Sequence, residues 1–327
     1  MSETKKTALV NELIANFGTT INRNQMMSLA SKHGVNPGFL TKNKVGRGVY
    51  DISEFATSAV ASVAAACEKT DEELLDAMRR RFRTLDRMAA GVVAGRVRSM
   101  IVSGPAGIGK TYTIEGMLES AEEEGKIQYQ KISGFVKATG IFKSLWENRH
   151  DNCVILIDDA DSAFGDEVAL NLLKTALDSG KRRMITWGSE KIFMDEVGDS
   201  IPNTFEFRGS IVFITNLNFE TMIAQGKAMA PHFQALISRS FYIDLNFDSS
   251  REYILRIEDV LRNTDMAYSA GLDEKNVDYL IKYVKTNSTR LRELSLRMIL
   301  KLAKILSFSD SIEDFEEIAS TTCLRRK

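Results

Sequence analysis

Cysteine is scarce: only Cys67, Cys153 and Cys323 occur in 327 residues, with no CxxC spacing. So odd and scattered a set excludes a disulfide framework and a zinc site, and it fits a reducing, cytoplasmic compartment. Long apolar runs are missing too. Nowhere do 18 apolar residues follow one another, so no membrane span is expected. The opening Met1-Ser2-Glu3-Thr4-Lys5-Lys6 leads into no apolar stretch, so no signal peptide is expected either. There is no internal repeat, and no low-complexity tract beyond one run rich in alanine. Charge of one sign is also lacking, with 43 Lys and Arg against 44 Asp and Glu, so the whole-chain charge points to no polyanionic or polycationic partner.

What is present is the composition of an ordinary soluble protein, 44% hydrophobic and 27% charged, long enough for two or three domains. Residues 1–52 are basic: Lys5, Lys6, Arg23, Lys32, Lys42, Lys44 and Arg47 stand against Glu3, Glu12 and Asp51. The alanine-rich residues 53–74 read as a linker or linking helix. Over 75–247, strand-like runs alternate with helical patterns, the runs being 100–103, 127–132, 154–157, 211–215 and 241–245. Such alternation predicts α/β layers around a parallel sheet. From 248 to 327 the pattern is helical only, with one stripe at Val277, Leu280, Ile281 and Val284 and another at Leu291, Leu294, Met298, Leu302 and Ile305.

The stretch IVSGPAGIGKTYT, residues 101–113, contains G-x-x-x-x-G-K-[ST] at Gly104, Pro105, Ala106, Gly107, Ile108, Gly109, Lys110 and Thr111, followed by Tyr112. Glycines let backbone N–H groups turn inward around a β-phosphate, Lys110 reaches the β/γ oxygens, and the Thr111 hydroxyl is a ligand for Mg²⁺. Chance places this pattern in about 1% of chains of this length. Context strengthens it: a strand precedes the loop, and Ile114, Met117, Leu118 and Ala121 behind it have helical spacing, so a helix N-terminus adds to the anion site.

A phosphate site of this kind needs a carboxylate at the end of a buried strand. CVILIDDADSAF supplies Asp158 as the metal candidate and Asp159 as the group to activate water, the alternative being an Asp pair that caps a turn. In SIVFITNLN, Asn216 emerges from a third strand where an amide could hold the attacking water; turn chemistry is the alternative.

The order of these parts resembles the AAA+ ATPase family over about residues 75–310. The resemblance implies a P-loop three-layer core with a parallel sheet, a helical lid, bound ATP and Mg²⁺, and a homo-oligomeric ring such as a hexamer. On it, Gly104–Thr111 looks like Walker A, Asp158-Asp159 like Walker B and Asn216 like sensor 1. Arg239, in LISRS, resembles the arginine finger that enters a neighbour's site. The sensor 2 arginine is Arg290 by loop spacing or Arg292 by the wording LREL, with Arg290 preferred. One departure is Asp159, where the family usually has Glu; a carboxylate about 1 Å out of place can cost on the order of 10²-fold in rate. LNLLKTALDSGKRRMITW, residues 170–187, is similar to AAA ATPases encoded by bacteriophages, which implies a phage protein in the host cytoplasm.

Residues 20–52 read as a small winged helix-turn-helix: Asn24 caps a helix to His33, Gly34 ends it, Pro37 opens a second, and KVGRGVYDI forms a hairpin wing. Lys42, Lys44 and Arg47 then face DNA phosphates, or the domain docks a protein. Phe135 or Lys137, after the second strand, is placed to touch a substrate, and the stretch around Trp187 and Phe205 reads as two strands about a long turn. Three functions stay open: an oligomeric ATPase acting on DNA, a protein-remodelling motor, and an ATP-dependent assembly switch with little hydrolysis.

Overall fold

The computed structural model describes residues 6, 9–10, 12–14, 17, 20–46, 48–53, 69–190, 192–195, 197–226 and 229–326. Lys5, Arg47, Cys67 and most of the alanine-rich run lie outside the described residues. The chain divides into two compact units, Met1–Thr70 and Asp71–Lys327.

In the first unit, strand β1 (Thr20–Asn22) leads into helix α1 (Arg23–His33), a 3-10 helix (Pro37–Asn43), and strands β2 (Lys44–Gly46) and β3 (Val49–Asp51). The strands form an antiparallel sheet in the order β1-β3-β2. Two local expectations shift. Asn22, not Asn24, caps α1, because its side chain accepts from the Gln25 N–H while the Gln25 side chain returns a bond to the Asn22 backbone. The second helix is 3-10 and opens at Pro37 behind the Asn36 cap. Gly34, at φ +61°, ends α1 as expected. Leu9, Leu13, Ile21, Met26, Leu40 and Ile52 make the core.

The second unit opens with α2 (Asp71–Val93), then β4 (Ser99–Ser103), α3 (Lys110–Glu123), β5 (Gln128–Ser133), α4 (Ala138–Glu147), β6 (Cys153–Asp158), a 3-10 turn (Asp161–Gly165) and α5 (Glu167–Ala176). After an inserted hairpin come β11 (Ser210–Thr215), α6 (Phe219–Ala224), α7 (Ala230–Arg239) and β12 (Phe241–Asp244). Five parallel strands pair in the order β12-β4-β11-β6-β5, each within one residue of its expected span. The three inner strands are buried at every residue, which is why they read as continuous apolar runs rather than alternating ones. Alternate residues serve opposite faces: Ile101, Ile155 and Phe213 join the core that contains Phe142 and Leu173, while Val102, Leu156 and Val212 join the one that contains Leu85 and Leu118. Cys153 is buried at the start of β6.

The insert pairs β7 (Met184–Thr186) with β10 (Thr204–Glu206), and the turn between them carries a second small hairpin, β8 (Phe193–Met194) with β9 (Ser200–Ile201). Trp187 and Phe205 pack against Phe142 at centroid distances of 5.3 and 5.4 Å, so both rings belong to an aromatic cluster.

The remaining helices are α8 (Ser250–Asn263), α9 (Met266–Ser269), α10 (Glu274–Asn287), α11 (Leu296–Phe308) and α12 (Ile312–Thr322). They share a core of Ile257, Leu280, Val284, Ile299, Leu302 and Phe315. The first expected stripe lies on α10. The second does not form one helix: Leu291 bridges to Leu324, and α11 begins only after Ser295, whose side chain caps the Met298 N–H. Among the described residues no helix is long and apolar enough to cross a membrane.

Candidate nucleotide-binding site

Because β4, β11 and β6 are parallel neighbours, their carboxyl ends meet at one edge of the sheet, and three loops converge there. The loop after β4 turns through Gly107 (φ +71°) and Gly109 (φ +101°), left-handed positions that a side chain resists, before α3 starts at Lys110. The buried Lys110 Nζ donates to the carbonyls of Gly104 (2.6 Å) and Pro105 (2.8 Å) and to Asn216 Oδ1 (3.0 Å). Burial pulls its pKa down to about 8, against the opposing pull of Asp159, Asp158 and Asp161.

Asp158 ends β6, and its Oδ1 accepts from Thr111 Oγ1 at 3.1 Å while Oδ2 lies 3.7 Å from Lys131 Nζ. Burial, and then neighbouring Asp159, holds its carboxyl above the usual range. Asp159 has φ +51°, alone among the described non-glycine residues in being left-handed, a region that Asp tolerates better than most. Asn216 Nδ2 donates to Asp159 Oδ1 at 2.9 Å, so one amide links the lysine to the second carboxylate. Asp161, which the sequence reading did not single out, accepts from Thr215 Oγ1 at 2.8 Å beside this group.

These residues line a cavity of about 720 Å³, within the usual range for small-molecule sites. Ala106, Gly107, Gly109, Lys110, Thr111, Tyr112, Asp158, Asp159 and Asn216 form its sheet side. Of the expected loop residues, Gly104 and Pro105 contribute their carbonyls to Lys110, and Ile108 is buried in the core beneath. The other side is helical: Arg256, Val260, Asn263, Thr264, Asp265, Met266, Arg297 and Leu300. The two sides touch where the Leu296 N–H donates to the Gly107 carbonyl at 2.7 Å; a Cβ at Gly107 would stand 2.8 Å from Ser295 Cβ.

The arginines depart from expectation. Neither Arg290 nor Arg292 lines the cavity. Arg290 is exposed, and the Arg292 guanidinium donates to the carbonyls of Leu324 and Thr321. Arg297 lines it instead, close enough that its charge helps depress Lys110. The shift follows from the late start of α11: the loop runs on to the Ser295 cap, so the residue near the helix opening is Arg297. A signal was present in the sequence, a Ser directly before the period Leu296, Ile299, Leu302, Ala303. Arg256, also missed, gave no such signal; burial pushes its guanidinium below its ordinary value.

Arg239 ends α7 and does not line this cavity. Its carbonyl accepts from Ser99 Oγ at the start of β4, whereas the phosphate loop follows the end of that strand. A strand of this length spans roughly 16 Å, so Arg239 lies at the opposite edge of the sheet. Its Nε stands 3.6 Å from Asp178 Oδ1.

The donor set suits a nucleoside polyphosphate with a hard divalent cation. Lys110, Arg256, Arg297 and the start of α3 supply positive charge, and Thr111 with Asp158 supplies oxygen ligands. Among the described residues no group of three or more His, Cys, Asp or Glu is placed to hold a metal ion.

Residues 100–215 match the family described as ATPase family associated with various cellular activities (AAA). The chain is 40% identical over 249 residues to an uncharacterized 36.7 kDa protein from the nrdC-mobD intergenic region of Enterobacteria phage T4, covering 76% of this chain and 75% of that protein. Among solved structures, the Thermotoga maritima RuvB Holliday junction branch migration motor aligns at TM-score 0.45 and 15% identity, over 74% of this chain and 68% of its own. NtrX from Brucella abortus in complex with ATP aligns at TM-score 0.42 and 14% identity, over 92% and 69%.

Proposed function

Because the chain belongs to the AAA family of ATPases, we propose that it binds and hydrolyses ATP with Mg²⁺, at a site shared between copies of itself, and acts on DNA. The observation that carries this reading is the convergence of Lys110, Thr111, Asp158, Asp159, Asn216 and Arg297 on one cavity. Residues 75–247 serve as the ATPase core and 248–327 as its lid. Lys110 would take the β/γ oxygens, leaving the loop carbonyls that it holds here, and Thr111 and Asp158 would hold Mg²⁺, which would supply charge neutralisation at the phosphates. Asp159 accepts a proton from the attacking water, and Asn216, already bonded to it, orients that water. Asp suits the left-handed backbone at 159, where a longer Glu would fit less readily, so the departure from the usual Asp-Glu pair is matched by local geometry. Arg297 offers its charge from the lid.

Arg239 lies too far from its own phosphate loop to serve it, which supports a role toward a neighbour's nucleotide in a homo-oligomeric ring. DNA is the substrate favoured by the first unit. Its three-stranded sheet, α1 and 3-10 helix follow a winged helix-turn-helix order, and Lys42 and Lys44 are exposed. A phage relative fits work in a host cytoplasm. One observation favours a second reading, a protein-remodelling motor: Phe135, after β5, is 76% exposed beside exposed Lys137 and is free to grip a polypeptide.

Mixing two inactive variants tests the shared site. Arg239→Ala lacks the finger and Lys110→Ala lacks the phosphate grip, so hydrolysis should return when the two are combined. A mixture as inactive as its parts, with co-assembly shown by cross-linking, would overturn the shared site. Stimulation of turnover by DNA, lost on neutralising Lys42 and Lys44, supports the DNA reading; stimulation only by an unfolded polypeptide favours the second.

A further inference from the structure

Arg256 is a buried cation whose partners do not account for it. Its side chain is 14% exposed, with the guanidinium carbon 3.7 Å over the centre of the Phe82 ring on α2. Its Nε is buried and has no hydrogen-bond partner among the described residues. The nearest carboxylate is Asp259, where Nη1 stands 3.5 Å from Oδ2. That carboxylate is already engaged: its Oδ1 accepts from Arg79 Nε (3.0 Å) and Nη2 (2.5 Å) and from Asn263 Nδ2 (2.9 Å). Asp86 on α2 also acts on Arg256, but burial pushes its own carboxyl toward the neutral form. A buried guanidinium with an unmet donor and a shared counter-ion is costly unless an anion completes it.

The cavity says where that anion sits. Arg256 lines it from α8, with Nη2 3.9 Å from where a Cβ on Gly109 would stand. Gly109 is the last residue of the loop before Lys110, and in a G-x-x-x-x-G-K-[ST] loop the backbone N–H groups cradle the α/β-phosphates while the lysine reaches the β/γ end. Arg297, by contrast, acts on Lys110, whose ammonium serves the β/γ end. We infer that Arg256 binds the α/β-diphosphate of the nucleotide, a second lid cation that holds ATP and ADP alike. This rests on the reading of the cavity as a nucleotide site. It divides the lid's work: Arg297 senses the terminal phosphate, and Arg256 anchors whichever nucleotide is present. A lid anchored in this way stays on ADP after the γ-phosphate has left.

Calorimetric titration of the full chain with ATP and with ADP, in Mg²⁺, tests the assignment. Arg256→Gln should weaken both by the same factor, about 10- to 100-fold, the effect of losing hydrogen bonds to a charged group. Arg297→Ala should weaken ATP more than ADP. Arg256→Lys keeps the cation and the stem over Phe82 and should show a smaller loss, again shared; it decides the matter if Arg256→Gln does not fold. Parental affinities for both nucleotides in a folded Arg256 variant would overturn the inference alone, leaving the arginine as a brace between α2 and α8. A parent protein that binds neither nucleotide would overturn the site reading together with it.

Discussion

On the sheet side of the cavity, Lys110, Thr111, Asp158, Asp159 and Asn216 sit at or just beyond the ends of three adjacent parallel strands. On the helical side, Arg256 and Arg297 come from α8 and α11, with α9 and α10 between them in the chain. The sheet side is held by a ladder of backbone bonds, and each of its functional residues lies within eight residues of the end of one of these strands. The helical side is held by side-chain packing around Leu280, Ile299 and Leu302, and its cations reach the cavity only because those helices cross as they do. Chemistry tied to strand ends is therefore local in sequence, and chemistry carried by the lid is not. On the proposed function the two sides also divide the work: the first contains the groups that would react, the second only groups that would bind and sense.

The sharpest way to test that division is at the sheet edge, where two variants should separate binding from reaction. Lys110→Ala removes the cation at the β/γ oxygens and should lower ATP affinity at least about 100-fold, given the strength of charge-assisted bonds. Asp159→Asn can keep the bond from Asn216 but cannot take a proton. ATP binding should survive while turnover falls by about 10²- to 10⁴-fold. Measured ATP affinity and single-turnover rates decide; a drop in affinity equal to the drop in rate for Asp159→Asn would place that residue in binding instead.

A smaller effect is expected from the lid. Arg297→Ala should reduce turnover by about 10²-fold, the range for removing one charge donor to the transition state, whereas Arg290→Ala should change it less than about twofold. The reverse ranking in a steady-state ATPase assay would restore Arg290 and break the comparison, since the sensing arginine would then lie outside the cavity.

The smallest effect concerns the contact between the two sides. Gly107→Ala places a Cβ 2.8 Å from Ser295 Cβ at a left-handed residue, so loop and lid must part. The strain is worth about 1–3 kcal/mol, and ATP affinity should fall about tenfold. A Gly107→Ala protein with parental affinity and melting temperature would mean that the sides do not need this contact.

How much of this was legible beforehand differs between the two sides. The three inner strands lie within a residue of their expected spans because a strand buried on both faces must be apolar throughout, and such runs stand out in any sequence. Asp158, Asp159 and Asn216 were legible for the same reason, as polar residues that end those runs, and Lys110 was legible from the glycine spacing of the loop before it. Arg290 was preferred by loop spacing, on the expectation that a helix opens there after a short loop. The chain instead spends residues 288–295 in turns and in the bridge from Leu291 to Leu324, a partner from the far end of the chain. In the first unit, the sequence reading named Asn24 as the cap, whereas the Gln25 N–H meets the Asn22 side chain.

The sequence by itself determined the parallel sheet, the phosphate loop and the carboxylates, because periodicity and spacing along a strand are fixed by backbone geometry over a few residues. Only the tertiary structure decided which arginines line the cavity, that Arg239 lies at the opposite sheet edge, and that the Gly107 carbonyl accepts from the Leu296 N–H. Those facts depend on how helices far apart in the chain pack around a shared core, and a long, flexible arginine side chain gains its role from the surface it meets, not from the residues beside it.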